Sequence, residues 1–399
     1  MKTRLMVVFG GQSVEHEVAI ISAVQAMNYL DKEKYDILPV YAMKDGTMLF
    51  SRDFTDINVF KRKDLNGLKN EYTSVIVTKL DGKAVIIGIH PKKGIKKAAV
   101  ISEIDAVLPV VHGTNCEDGT MQGWLEALGV PYAGCNVMSS AIGMDKDLFK
   151  LALQAADIPT LPHITFGGKD WGDDKDAVIS LIESKFDYPV IVKPANLGSS
   201  VGISKAKDKN SLIDAVDLAA SFAEKILVER AVTSLREINC SVLGDADNCE
   251  ASECEEPVMQ DEILSFQDKY ISSGSSKGMA SLKRRLPADI PEEKKNEIQE
   301  ISKRVFKLIG ACGVVRIDYL MDVDDGNRVY VNEINTIPGS LSFYLWEATG
   351  VKYKELLDRI IELAFKRART RSSLMYTYES NILDGVSGFG AKGAKGSKM

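Results

Sequence analysis

Apolar residues fall into two rhythms along this chain. In the first third, short apolar runs at 5–9, 35–41 and 107–111 alternate with an amphipathic stretch from about 14 to 30, the pattern of parallel strands joined by helices. That predicts an open α/β unit. Its Gly10-Gly11 pair follows a strand and precedes a helix, where such units take ligands, although GGQS lacks the G-x-G-x-x-G of a dinucleotide site. Between 50 and 105 the alternation is less regular. There TSVIVTK and AVIIGIH bracket an Asp81-Gly82 turn and predict an elaboration of the same unit. From Asp145 the order becomes helix, strand (YPVIVKP), loop (ANLGSSVG), second strand and a helix across 211–225. Strands at ILVERAV and REINCSVLG, an amphipathic helix over 292–311 and a helix over about 353–367 follow. The terminal GVSGFGAKGAKGSKM cannot bury enough apolar surface to offset ordering entropy, which predicts a flexible tail.

The densest chemistry lies at 314–341, VVRIDYLMDVDDGNRVYVNEINTIPGSL, which reads as a hairpin turning at 322–327. Arg316 and Asp318 are two apart, as are Glu333 and Asn335, so each pair shares one face of its strand. Two carboxylates and an amide carbonyl, with no His or Cys among them, suit Mg²⁺ shared with substrate phosphates better than zinc or copper. An arginine beside them can hold developing negative charge. A solvated polar strand face would tolerate the same residues. Upstream, Lys193 ends a strand and is followed by Gly198-Ser199-Ser200-Val201-Gly202, whose backbone N–H groups and hydroxyls suit phosphate, though no Walker Gly-Lys-Ser/Thr is present. A flexible hairpin loop is the plainer reading of that segment.

Composition narrows the field. The chain has 399 residues, enough for two or three packed domains, with 45% hydrophobic and 27% charged residues. A formal net charge of -6 gives no reason to expect nucleic acid or anionic membrane as partner. Six scattered cysteines without zinc spacing read as free thiols in a reducing compartment, and no apolar run reaches membrane-spanning length. The cytoplasm is the expected location.

Taken together, EHEVAIISA at 15–23, VVHGTNCEDGTMQGWLEALGVPYAGC at 110–135, MDK at 144–146, VKPANLGSSVGISK at 192–205 and RID with NEINTIPG resemble the D-alanine:D-alanine ligases of the ATP-grasp superfamily, in the family's order from about residue 4 to 366. The resemblance implies an α/β ATP-grasp fold behind an N-terminal Rossmann-like domain: 1–134, then ATP-grasp subdomains at 135–229 and 230–370, with a tail at 371–399. It implies ATP and D-alanine as small-molecule substrates and an acyl phosphate intermediate. Lys146 and Lys193 would hold the ATP phosphates; Glu229, Arg230 and Val232 would line the adenine pocket largely through backbone groups, and Glu237 would take the ribose. Asp318, Glu333 and Asn335 would bind two Mg²⁺ (or Mn²⁺) ions. Glu15 would hold the first D-alanine's ammonium, linked through Ser199 and Tyr270 to the loop SFQDKYISSGSSKGM, whose Lys269 would reach a phosphate or the acceptor carboxylate. Arg316 and the Gly339 N–H would form an oxyanion hole. For His112 a structural or substrate-orienting role is expected. Members commonly form dimers, so a homodimer is the implied assembly.

Two departures stand out. Cys116 replaces a glycine of the family's HGxxGEDGT, as an inert substitution or, less simply, a reactive thiol. After Gly339, SLSFYLWEATG is shorter than the family's Ser-rich segment, leaving Ser340 and Ser342 as candidates for the acceptor carboxylate. Tyr270 matches the dipeptide-forming ligases, whereas relatives accepting D-lactate carry histidine there, so an amine nucleophile is expected. The expected activity is ATP-dependent joining of D-alanine to a second D-amino acid for peptidoglycan precursors. The alternatives are a carboxylate–amine ligase for another amino-acid pair, or a nucleotide-binding protein without turnover.

Overall fold

Residues 5–10 alternate to no solvent-facing side at all; every one is buried, as expected of a strand covered on both faces. The computed structural model describes residues 2–89, 98–198, 201–258, 284–377 and 380. These form three sheets with flanking helices. The first comprises β1 (Thr3–Gly10), β2 (Tyr35–Ala42), β3 (Met48–Phe50), β4 (Thr73–Leu80), β5 (Lys83–Ile89), β6 (Ala99–Glu103) and β7 (Ala106–Val111), in the order β6-β5-β4-β3-β2-β1-β7. Only β2, β1 and β7 pair in parallel; β2 to β6 are antiparallel, so the irregular stretch after residue 50 extends the same sheet. Asp81 (φ 49°) and Gly82 (φ 81°) both lie in the left-handed region, as a two-residue turn matched to strand twist requires. Helix α1 (His16–Tyr29) packs on β1 and β7.

The second sheet, β8 (His163–Gly167), β9 (Val190–Pro194), β10 (Ser204–Ala206) and β11 (Lys225–Arg230), has the order β10-β9-β11-β8. The third, β12 (Leu235–Gly244), β13 (Cys249–Pro257), β14 (Arg284–Arg285), β15 (Gly313–Asp322) and β16 (Arg328–Asn335), has the order β14-β13-β12-β15-β16. Three cores result. Helix α2 (Lys146–Ala155) contributes Phe149 and Leu153 to the core under the third sheet, with Ile298, Val305 and Phe306 of α3 (Glu292–Leu308). Helix α4 (Tyr353–Ser372) returns to the core of the first sheet through Leu356, Leu357, Ile360 and Ile361. It runs five residues past the expected end, where Arg367 donates to the carbonyls of Gly134 and Tyr132 (2.5 and 2.6 Å) and Arg371 pairs with Glu126 (2.6 Å). Among the described residues no helix is long and apolar enough to cross a membrane.

Candidate functional site

Alternation along the strands aims the chemistry. On β9 and β11, Val190, Val192, Ile226 and Val228 face the second core, which turns Ile191, Lys193 and Glu229 the other way. On β12 and β15, Ile238, Cys240, Val315, Ile317 and Tyr319 face the third core, which turns Glu237, Asp318 and Leu320 outward. These opposed faces enclose a cleft that also takes in Leu161, Ile203, Arg230, Val232, Asn332 and Glu333. Register places Asp318 opposite Glu333 and Arg316 opposite Asn335, so the four expected residues share one face. Between Asp318 and Tyr319 the pairing slips, leaving Asn332 as the extra residue of a β-bulge. Val329, Val331 and Ile334 go to the core, while Asn332 and Glu333, adjacent in sequence, both reach the cleft.

The charges in and behind this cleft are compensated in detail. Arg316 holds Asp318 by two bonds, Nε to Oδ1 at 2.6 Å and Nη2 to Oδ2 at 2.7 Å, and the Asn335 amide nitrogen donates to Oδ2 at 3.0 Å. Burial opposes the Arg316 cation, but Asp318 outweighs it and the guanidinium stays charged. Lys146, at the start of α2, donates to the Leu197 carbonyl (2.7 Å) and lies 3.2 Å from Glu333. Its own N–H donates to Ala195 just beyond β9, which ties α2 to the strand carrying Lys193. Lys193 pairs with Glu229 and donates to Asn332 Oδ1 at 3.0 Å. Glu229, 1% exposed, also lies 2.8 Å from Lys150. Burial works against its carboxylate, yet Lys150 and Lys193 hold it down to about 2.

A second, smaller cavity opens beyond the carboxyl ends of the neighbouring strands β1 and β7, the switch point at which parallel sheets take ligands. Glu15, Gly113, Glu117, Lys146, Gly198, Glu333 and Asn335 line it. Glu15 is buried and lies just ahead of α1, against two glycines. Gly113 has φ 76°, and a Cβ there would come within 2.3 Å of Ser13 Oγ and 2.8 Å of Glu15 Oε2, so the site needs glycine twice over. A Cβ on Gly198 would stand 3.1 Å from the same carboxylate. Glu15 thus touches both the HG turn and the loop after Lys193. Cys116 is buried, and burial pushes its thiol up to about 12, which disfavours the reactive thiolate.

His112 is structural in its contacts. Its Nδ1 faces the Ile337 carbonyl (2.8 Å), an acceptor only, so Nδ1 carries a proton, and Nε2 is hydrogen-bonded with Ser22 Oγ (3.1 Å). Ser22 Oγ in turn accepts the Ser340 N–H (2.9 Å), and Ser340 Oγ donates to Gln25 (2.7 Å). This chain of bonds fixes the segment opened by Gly339, where Ser340, Leu341 and Ser342 all have left-handed φ of 50–53°. Ser342 Oγ is buried and has no hydrogen-bond partner among the described residues.

The structure therefore brings Lys193, Glu229, Arg230, Val232, Glu237, Asp318 and Glu333 into one cleft, and Glu15, Lys146, Glu333 and Asn335 into the adjoining cavity. Arg316 lies beside the cleft through Asp318. Glu229, expected to act largely through backbone groups, lines the cleft with a carboxylate that is buried and doubly paired. Ser199, Lys269 and Tyr270, with the loop carrying the latter two, lie outside the described residues. Sequence reasoning missed Lys150, Asn332 and Glu117. Lys150 was legible, because it stands four residues after Lys146 on the same helix face; Asn332 was not, because strict alternation puts it opposite Glu333.

Comparison with known proteins finds the same architecture. The family model described as D-ala D-ala ligase N-terminus matches residues 4–135, and the one described as D-ala D-ala ligase C-terminus matches 152–362. A D-alanine–D-alanine ligase of Caldicellulosiruptor bescii is 40% identical over 95% of this chain and 99% of its own length. Among solved structures, the D-alanine-D-alanine ligase from Coxiella burnetii superposes with a TM-score of 0.73 at 31% identity, covering 93% of this chain and 96% of that one. The VanG D-Ala:D-Ser ligase from Enterococcus faecalis gives 0.76 at 28% identity, covering 91% and 100%.

Proposed function

The chain belongs to the D-alanine–D-alanine ligase family, and from that premise we propose that it uses ATP to join D-alanine to a second D-amino acid, most simply D-alanine, as a peptidoglycan precursor. The observation that carries this is Glu333, which lines both the cleft and the cavity holding Glu15. A nucleotide in the first and an amino acid in the second would meet at that residue.

The apolar walls Leu161, Ile191, Ile203 and Leu320 suit a purine, with Glu229, Arg230 and Val232 along one edge and Glu237 for the ribose. Lys193 and Lys146 would supply positive charge to the phosphates. Asp318, Glu333 and the Asn335 amide are oxygen donors of the kind that two Mg²⁺ or Mn²⁺ ions share with a nucleotide, and such ions neutralise phosphate charge when bound. Glu15 would orient the first D-alanine through its ammonium, with Ser199 and Tyr270 as the partners that the resemblance gives it. The substrate carboxylate attacks the γ-phosphorus and ADP leaves; the second amine then attacks the acyl carbon and phosphate leaves. Arg316 and the Gly339 N–H would hold the oxyanion of that second step. By the resemblance Lys269 would reach a phosphate or the acceptor carboxylate. Of the two serine candidates, Ser340 is committed to Gln25 and Ser22, which favours Ser342 for the acceptor carboxylate. We also propose the division 1–134, 135–229 and 230–370 as the functional domains.

Mass spectrometry of reactions containing ATP, Mg²⁺, D-alanine and a panel of D-amino and D-hydroxy acids tests this reading. It expects D-alanyl-D-alanine, or D-alanine joined to a larger D-amino acid. Efficient turnover of D-lactate near neutral pH contradicts the amine acceptor, and no product with any D-amino acid directs attention to another carboxylate–amine pair.

A further inference from the structure

Lys150 is fully buried, lines neither cavity, and yet presents an ammonium 2.8 Å from Glu229. Its remaining donors are met by Thr160 Oγ1 (3.1 Å) and the Leu161 carbonyl (3.5 Å), and Thr160 Oγ1 itself donates to Val331 on β16. A core methionine would fill the same space without the cost of burying a charge. The reason for a lysine lies on the other side of Glu229. There Lys193 pairs with the same carboxylate and lines the cleft.

We propose that Lys150 is a positioning residue which, as the resident counter-ion of Glu229, releases Lys193 to the phosphates of the bound nucleotide; this rests on the nucleotide reading of the cleft. Suppose Glu229 had Lys193 alone. The pair would be neutral, and drawing Lys193 toward a phosphate would strand an ionised carboxylate that is 1% exposed, a penalty paid against nucleotide binding. With Lys150 present, the trio carries one net positive charge and Glu229 keeps a cation throughout. Lys150 lies behind the cleft, bonded to Thr160 and Leu161, whereas Lys193 lines it, so Lys193 is the member within reach of a phosphate. Three neighbouring cations are already matched: Lys146 lies against Glu333, Arg316 against Asp318 and Arg230 against Asp322. Asn332 gives the Lys193 ammonium a neutral partner on the cleft side.

The test compares binding of adenosine and of a non-hydrolysable ATP analogue with Mg²⁺ by calorimetry, using the full chain as wild type, K150M, K150R and K150M/E229Q. For K150M, the affinity for the analogue is expected to fall about tenfold or more relative to adenosine, whose own affinity changes less than about twofold. K150R keeps the counter-ion and should restore the ratio to within about threefold of wild type. K150M/E229Q removes the carboxylate that pins Lys193 and should also recover the ratio, which keeps the proposal testable if K150M folds poorly. A purely structural role predicts that both ligands weaken together in K150M, and that outcome overturns the proposal, as does an unchanged ratio. Failure of the wild type to bind either ligand overturns the nucleotide reading itself and the proposal with it.

Discussion

In the cleft, Lys193, Glu229, Asp318 and Glu333 stand on strands whose opposite faces are sealed into cores; in the turn at 339–342 the backbone itself is pushed into the left-handed region at three successive non-glycine residues. Each such residue costs about 1–2 kcal/mol, and the turn persists because His112, Ser22 and Gln25 hold it from the first sheet. The cleft is fixed by its own sheets, and its charges pair at short range. The turn is fixed by a distant element. The cleft proposed for the nucleotide thus rests on regular structure, while the turn proposed for the acceptor rests on a relay between residues far apart in sequence, where small changes can alter what is held.

The largest effect separating the two regions should come from the cleft. Asp318→Asn and Glu333→Gln are expected to lower kcat by at least about a hundredfold while the protein still unfolds cooperatively, because each removes a phosphate-side carboxylate without emptying a core. Turnover within about tenfold of the parent in both variants would remove the two-metal reading. Ser22→Ala breaks the relay that holds Ser340. It should raise KM for the acceptor amino acid by about tenfold while leaving KM for ATP within about twofold. Equal changes in both would mean that the turn and the cleft are not separable.

A smaller and pH-dependent effect belongs to the ion trio. The folded-state pKa of Glu229 lies below its ordinary value of 4.5, at about 2. A depressed carboxylate stabilises the fold above its unfolded pKa, and that contribution is lost as pH falls through the window from 4.5 toward 2. Thermal midpoints of the wild type should therefore drop through this window more steeply than those of Glu229→Gln. Parallel curves would place the acid sensitivity elsewhere. The smallest effect is expected for deletion of residues 381–399, which should leave thermal midpoint and rate nearly unchanged; a large loss of either would show that the segment docks.

What could be read in the sequence follows the same division. Arg316, Asp318, Glu333 and Asn335 were legible as one face because period-two alternation is a property of any strand, and the register confirms the pairing. The Asp81-Gly82 turn was legible from its residue types alone. Strand β13, CEASECEEP, gave no apolar rhythm, since its buried Glu255 is compensated by Arg284 (2.6 Å), Asn239 and Tyr344 and not by hydrophobic packing. Asn332 was hidden by the bulge. The relay joins His112 to Ser22 across 90 residues and Ser22 to Ser340 across 318, distances at which local pattern carries no information.

Phosphate release measured continuously with ATP and Mg²⁺, before and after adding D-alanine, bears most directly on whether the cleft and the Glu15 cavity work as one ligase. Release should be slow with ATP alone, rise by about tenfold or more on adding D-alanine, and not respond to L-alanine. Release that is equally fast without D-alanine, or absent with every D-amino acid supplied, would contradict the coupling of the two sites through Glu333.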